Sequence, residues 1–148
     1  MDYHKCKKEG FSLVEIVVVL GIFALLFSIS TSVYNNFKSH SNLEITVNGV
    51  VEAIRMAQSN AQSGKGDSKW GMKIVTNKVV VFKGDNYTSR DVSFDESFGF
   101  SGEVVTGGVS EIVFEKLTGT TLTTGTIILT SNTENKNINV NEKGTVTY

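Results

Sequence analysis

The sequence predicts an α+β protein: a long N-terminal helix, apolar in its first half and amphipathic in its second, packed on an antiparallel two-sheet β domain. Ile16 to Phe27 form an unbroken apolar run, counting Gly21 and Ala24 as permissive. Leu43, Val47, Val50, Ile54, Ala57 and Ala61 then recur at spacings of 4, 3, 4, 3 and 4, a single stripe along a helix. From Lys69 onward the pattern changes to short runs separated by glycine and asparagine, several with period two. The chain thus divides into a polar head (1–10), an apolar helix (11–34), its amphipathic continuation (35–63) and a β domain (64–148).

In the head, Lys5, Lys7 and Lys8 outweigh Asp2 and Glu9. A helix from Phe11 to Tyr34 would be about 36 Å long, enough to cross a bilayer core of roughly 30 Å. The positive-inside rule keeps such a head in the cytoplasm and sends everything after Tyr34 outward. The pattern alone fits a signal anchor, or a secretory signal peptide cleaved at the small residues of Ser28-Ile29-Ser30. Glu15 suits neither. A carboxylate in a transmembrane helix costs about 2.5–3.5 kcal/mol at the centre and less near an end, and neither kind of segment has a use for it.

The residues around that acid offer a third reading. Gly10 is followed by aromatic Phe11, hydroxyl-bearing Ser12, aliphatic Leu13 and Val14, then Glu15, with Lys7-Lys8 just before. This resembles the leader of the type IV pilin superfamily. The resemblance implies cleavage after Gly10 and N-methylation of Phe11 by a prepilin peptidase/N-methyltransferase, which makes Glu15 the fifth mature residue. It also implies a single-pass protein of the bacterial inner membrane with its globular domain outside the cytoplasm. The partners it implies are membrane lipid, an inner-membrane assembly platform and other pilins or pseudopilins. Cleavage leaves a positive amine on Phe11 at the edge of hydrocarbon, and Glu15 of a neighbouring subunit can pair with it. In low dielectric an unpaired charge is heavily penalised, so the pair sets register between packed helices, as a buried polar residue does in a coiled coil. One departure is visible: many members of the superfamily carry proline where this chain has Ser32, so the kink it gives is missing.

The polar patch from Asn35 to Asn42 is a place where the helix can be interrupted, and Gly64 and Gly66 stop it. In the domain, Trp70 to Val75 and Lys78 to Phe82 flank Thr76-Asn77 as a hairpin. Asp91 to Phe94 and Phe98 to Val105 read as short strands, and Gly107-Gly108 as a break. Val109 to Leu117 reads as a strand before a turn at Gly119. Thr126 to Thr130, the alternating segment around Ile138 and Val140, and a last strand at Val146 to Tyr148 complete two antiparallel sheets packed face to face. Trp70, Phe94, Phe98, Phe100 and Phe114 are expected in the core, and Gly119, Gly125 and Gly144 at turns needing positive φ. Trp70-Gly71, Phe114, Gly119, the run Gly125 to Leu129, and finally Ile138 to Asn141 with Gly144-Thr145-Val146 resemble the H-type minor pseudopilin of type II secretion and related fimbrial minor pilins. Those proteins end in a strand–turn–strand with glycine between the strands.

No enzyme is expected. After Gly10 the one histidine is His40, and the one cysteine, Cys6, lies in the head, where it reads as incidental. No nucleophile–base pair, disulfide or cysteine-ligated metal site can be built from these. No glycine-rich phosphate loop occurs, and neither cofactor nor metal is expected. Asp85, Asp91, Asp95 and Glu96 could offer oxygens to calcium, but their spacing lacks the alternating ligands of a calcium loop, and solvated surface charge is the better reading. Nucleic acid is not an expected partner. Removing the head's three lysines and two acids from totals of 14 and 15 leaves a net charge of −2 and no basic stripe. The alternative to a filament subunit is a secreted or membrane-anchored β-sandwich binding domain, including a minor pilin for DNA uptake.

Overall fold

The computed structural model describes residues 10–100, 102–132 and 134–148, without the side chains of 29–33 and 36. The polar head, with Lys5, Cys6, Lys7 and Lys8, lies outside the described residues, as does the side chain of Ser32. One helix, α1, spans Leu13–Gln62. It runs through the Asn35–Asn42 patch, where the sequence allowed either a break or a continuous helix. The patch contains no proline, so each N–H keeps an acceptor one turn back, and asparagine, serine and lysine cost a helix only tenths of a kcal/mol each. A short 3₁₀ turn, Lys65–Asp67, follows, with Gly64 and Gly66 in the left-handed region. The chain forms two compact units, one ending at Asn36 and one from Phe37 to Tyr148.

The second unit holds eight strands: β1 (Trp70–Val75), β2 (Lys78–Lys83), β3 (Asp91–Gly99), β4 (Val105–Gly108), β5 (Glu111–Phe114), β6 (Gly125–Thr130), β7 (Asn135–Val140) and β8 (Val146–Thr147). They make two antiparallel sheets, ordered β3-β2-β1-β5 and β4-β6-β7-β8. Period-two burial assigns one face of each to the core: Trp70, Met72 and Ile74, Val79 and Val81, Ile112 and Phe114, Ile127 and Leu129, Ile138 and Val140. These share one cluster with the predicted α1 stripe, which is widened by Val51 and Ala53.

Three strand expectations need correction. Asp91 to Gly99 is one strand, because β2 offers a continuous edge and a register shift between Val81 and Lys83 absorbs the surplus residues. Gly107-Gly108 ends β4 opposite Ile128 and Ile127. The strand after it stops at Phe114, not Leu117. Leu117 leaves the sheet with φ 68°, and its N–H donates to the Ala61 carbonyl at 2.8 Å, a second bond to an acceptor at the end of α1 that also takes the Gly64 N–H at 3.1 Å. Among the aromatics, Trp70 and Phe114 are fully buried and Phe98 and Phe100 partly so, but Phe94 is 39% exposed. It lies on outermost β3, edge-on to Trp70 at 6.2 Å.

Two loops are fixed to α1 by one side chain. The Gln58 amide donates to the carbonyls of Gly119 at 3.0 Å and Lys143 at 2.9 Å. The loops approach so closely that a Cβ at Gly144 (φ 74°) would stand 2.3 Å from the Gln58 nitrogen. Glycine there serves both the turn and the contact.

Candidate functional site

The described part of the first unit is helix from Leu13, and its described side chains point outward. Phe11, Leu13, Val14, Ile16 to Leu20, Ile22, Phe23 and Leu25 to Phe27 are each at least 47% exposed. A helix apolar on every side is built to be covered by lipid or by other helices. Among the described residues, no helix is long and apolar enough to cross a membrane. The described apolar side chains from Leu13 stop at Ser28, short of the ~20 residues a span needs. The rest of the expected span, at 29–33, lies outside the described side chains.

Gly10 and Phe11 precede α1 and are exposed. Ser12 is its N-cap, and Glu15 stands in the first turn. Glu15 shares one face with Phe11, Ile16, Val19, Leu20 and Phe23, so the acid is ringed by apolar side chains. Its Oε2 accepts a hydrogen bond from the Ser12 N–H at 3.2 Å. This is one arm of a capping box, in which the third helical residue reaches back to the N-cap amide. The Ser-x-x-Glu spacing is the sequence signal for it. The acid also suits the positive end of the helix dipole. Gly10, Phe11 and Glu15 thus lie together at one helix start.

With that geometry in view, residues 5–31 match the family model described as the prokaryotic N-terminal methylation motif. The chain carries a type IV pilin-like leader. The motif supports a pilin-like or pseudopilin subunit, and implies processing by a prepilin peptidase, anchoring in a membrane and assembly with other pilins. No curated protein and no solved structure matches the chain.

The second unit has polar groups worth weighing as a site. Asp85, Asp91, Asp95 and Glu96 do not gather around a common point. Asp85 lies 3.6 Å from Lys69, Asp95 takes Arg90 Nε at 2.9 Å, Glu96 lies 3.8 Å from Lys65, and Asp91 accepts from the Ser93 hydroxyl at 2.6 Å. The Ser93 hydroxyl and backbone N–H hold the Asp91 carboxyl below its ordinary range. Early in this unit α1 makes several polar links to the sheets. Lys38 and Asn42 donate to the two oxygens of Glu103 at 3.1 and 2.9 Å, which lowers that carboxyl's pKa, Lys38 contributing most. Interleaved with these, His40 Nδ1 meets Glu134 Oε1 at 2.6 Å, and Glu44 meets Lys136 at 2.9 Å.

Proposed function

We propose that the chain is a minor pilin or pseudopilin, a structural rather than catalytic subunit of a type II secretion pseudopilus or type IV pilus. In this reading the leader is removed after Gly10, Phe11 is methylated, and residues Phe11 to Ser32 serve first as an inner-membrane anchor and then as filament core. The β domain stays outside the cytoplasm and contacts neighbouring subunits or cargo. The partners are the peptidase/N-methyltransferase, an inner-membrane assembly platform and other pilins or pseudopilins.

The observation that carries this is the methylation motif running directly into a helix whose apolar side chains cover every face. Glu15 fits the role. One of its oxygens holds the Ser12 amide, and a carboxylate has about four acceptor positions. An amine from a neighbouring Phe11 can therefore be added without breaking the cap. The H-type subtype rests on the scattered glycine and strand positions of the β domain.

Mass spectrometry of the mature N-terminus tests the reading. A chain beginning at methylated Phe11 is expected, and one beginning at Thr31 would point instead to a secreted binding domain. Gly10→Val should abolish cleavage. Glu15→Val should leave cleavage largely intact and strongly reduce incorporation into filaments, read by immunoblot of sheared fractions.

A further inference from the structure

One cluster in the second unit lies outside the residues assigned above to the leader and filament core. His40 and Glu44 are one turn apart on α1, so their side chains share a face. Glu134 comes from the β6–β7 turn, 94 residues from His40 in sequence, and is held there by the Ser131 N–H, which donates to its carbonyl at 2.9 Å. One donor atom from each of the three lies within 4.8 Å of the others. Lys136, the next charged residue on β7, puts its ammonium 2.9 Å from Glu44. The set is therefore one imidazole and two carboxylates, with a cation already drawn to its edge.

We infer that His40, Glu44 and Glu134 form a binding site for a borderline divalent ion, zinc foremost. Imidazole with carboxylate suits zinc, whereas calcium takes six to eight oxygens and gains little from a ring nitrogen. Ligands at zinc–nitrogen and zinc–oxygen distances stand about 3.4 Å apart in a tetrahedron. The 2.6 Å His40–Glu134 contact must open slightly and Glu44 must close in. All three side chains are partly or largely exposed, so short rotations achieve this. Binding replaces the His40–Glu134 hydrogen bond and displaces Lys136 from Glu44, with water as fourth ligand. The ion would staple α1 to the β6–β7 turn. A count of histidines cannot find such a site, because folding alone supplies the third ligand.

The test uses the full chain in detergent micelles, tag-free and carrying His4→Gln and Cys6→Ser, which remove the other imidazole and the only thiol. Titration calorimetry and thermal unfolding are followed with zinc chloride and magnesium chloride. One zinc per chain is expected, with a raised unfolding midpoint and no comparable effect of magnesium. His40→Ala and Glu134→Gln should each weaken binding roughly tenfold or more. Lys136→Met, which removes the competing ammonium, should tighten it, a gain that misfolding cannot produce. Zinc binding unchanged in His40→Ala and Glu134→Gln, or absent from both the parent and Lys136→Met, would overturn the site. Neither result bears on leader processing, so the filament reading stands or falls separately.

Discussion

Two stretches of one helix, Leu13–Phe27 and Leu43–Ala61, have similar secondary structure and opposite surfaces. In the first, leucine, valine, isoleucine and phenylalanine occur on every side and none is buried. In the second, most apolar residues keep to one broad stripe and are buried, while Ile45, Glu52 and Arg55 face water. Helix geometry is common to both, so what differs is the intended neighbour. The stripe is completed by the sheets of its own chain. The apolar stretch has no complement among the described residues, and its packing must be supplied from outside. Where apolar residues fall around the helix thus separates self-contained structure from structure that depends on assembly.

Substitutions can break that contrast, beginning with the deepest. Phe114→Ala should destabilise the second unit by about 3–5 kcal/mol, because a fully buried ring leaves a cavity among Trp70, Met72 and the α1 stripe. Leu25→Ala, in the exposed stretch, should leave the same denaturant midpoint unchanged. Equal losses would refute the division. Gln58→Ala should cost about 1–3 kcal/mol by stranding the Gly119 and Lys143 carbonyls. Hydrogen exchange would then rise in those two loops before it rises in β1 and β2.

The smallest effect concerns acid. Lys38 and Asn42 hold the Glu103 carboxyl below its usual range. A depressed pKa contributes stability that is fully present above the unfolded value and is lost as pH falls through the folded one. The thermal midpoint of Glu103→Gln should therefore lie slightly below that of the parent at neutral pH and converge with it in acid. Both partners are exposed, so high salt should shrink the difference. A gap that persists in acid and in salt would mean that packing, not charge, joins Glu103 to α1.

Much of this architecture was legible from side-chain spacing. Leu43, Val47, Val50, Ile54, Ala57 and Ala61 are all buried, and Trp70, Ile127 and Ile138 alternate into the core. The errors share a cause. Breaks at Gly107-Gly108 and between Phe94 and Phe98 were read from local composition, yet pairing partners decided them: β6 accepts glycine in its neighbour, and β2 holds all of β3 through a register shift. Leu117 looked like the end of a strand because its service to Ala61 spans 56 residues of chain. At the helix start, Glu15 was legible as an anomaly, while its bond to the Ser12 amide sat unnoticed in plain spacing. The His40, Glu44 and Glu134 grouping was not legible, since no local pattern connects residues so far apart.

The Gln58 clamp bears on how the molecule comes into being. Its two acceptors, at Gly119 and Lys143, leave the ribosome long after the helix that carries the amide. The foot of α1 cannot be clamped at both points until Lys143 has been made. Contacts of such span are slow to close, so a nascent chain halted before Lys143 would leave the Gln58 amide with only one of its two acceptors. Loss of the Lys143 loop should therefore be felt at the foot of α1, far away in sequence, and not only as the trimming of an edge.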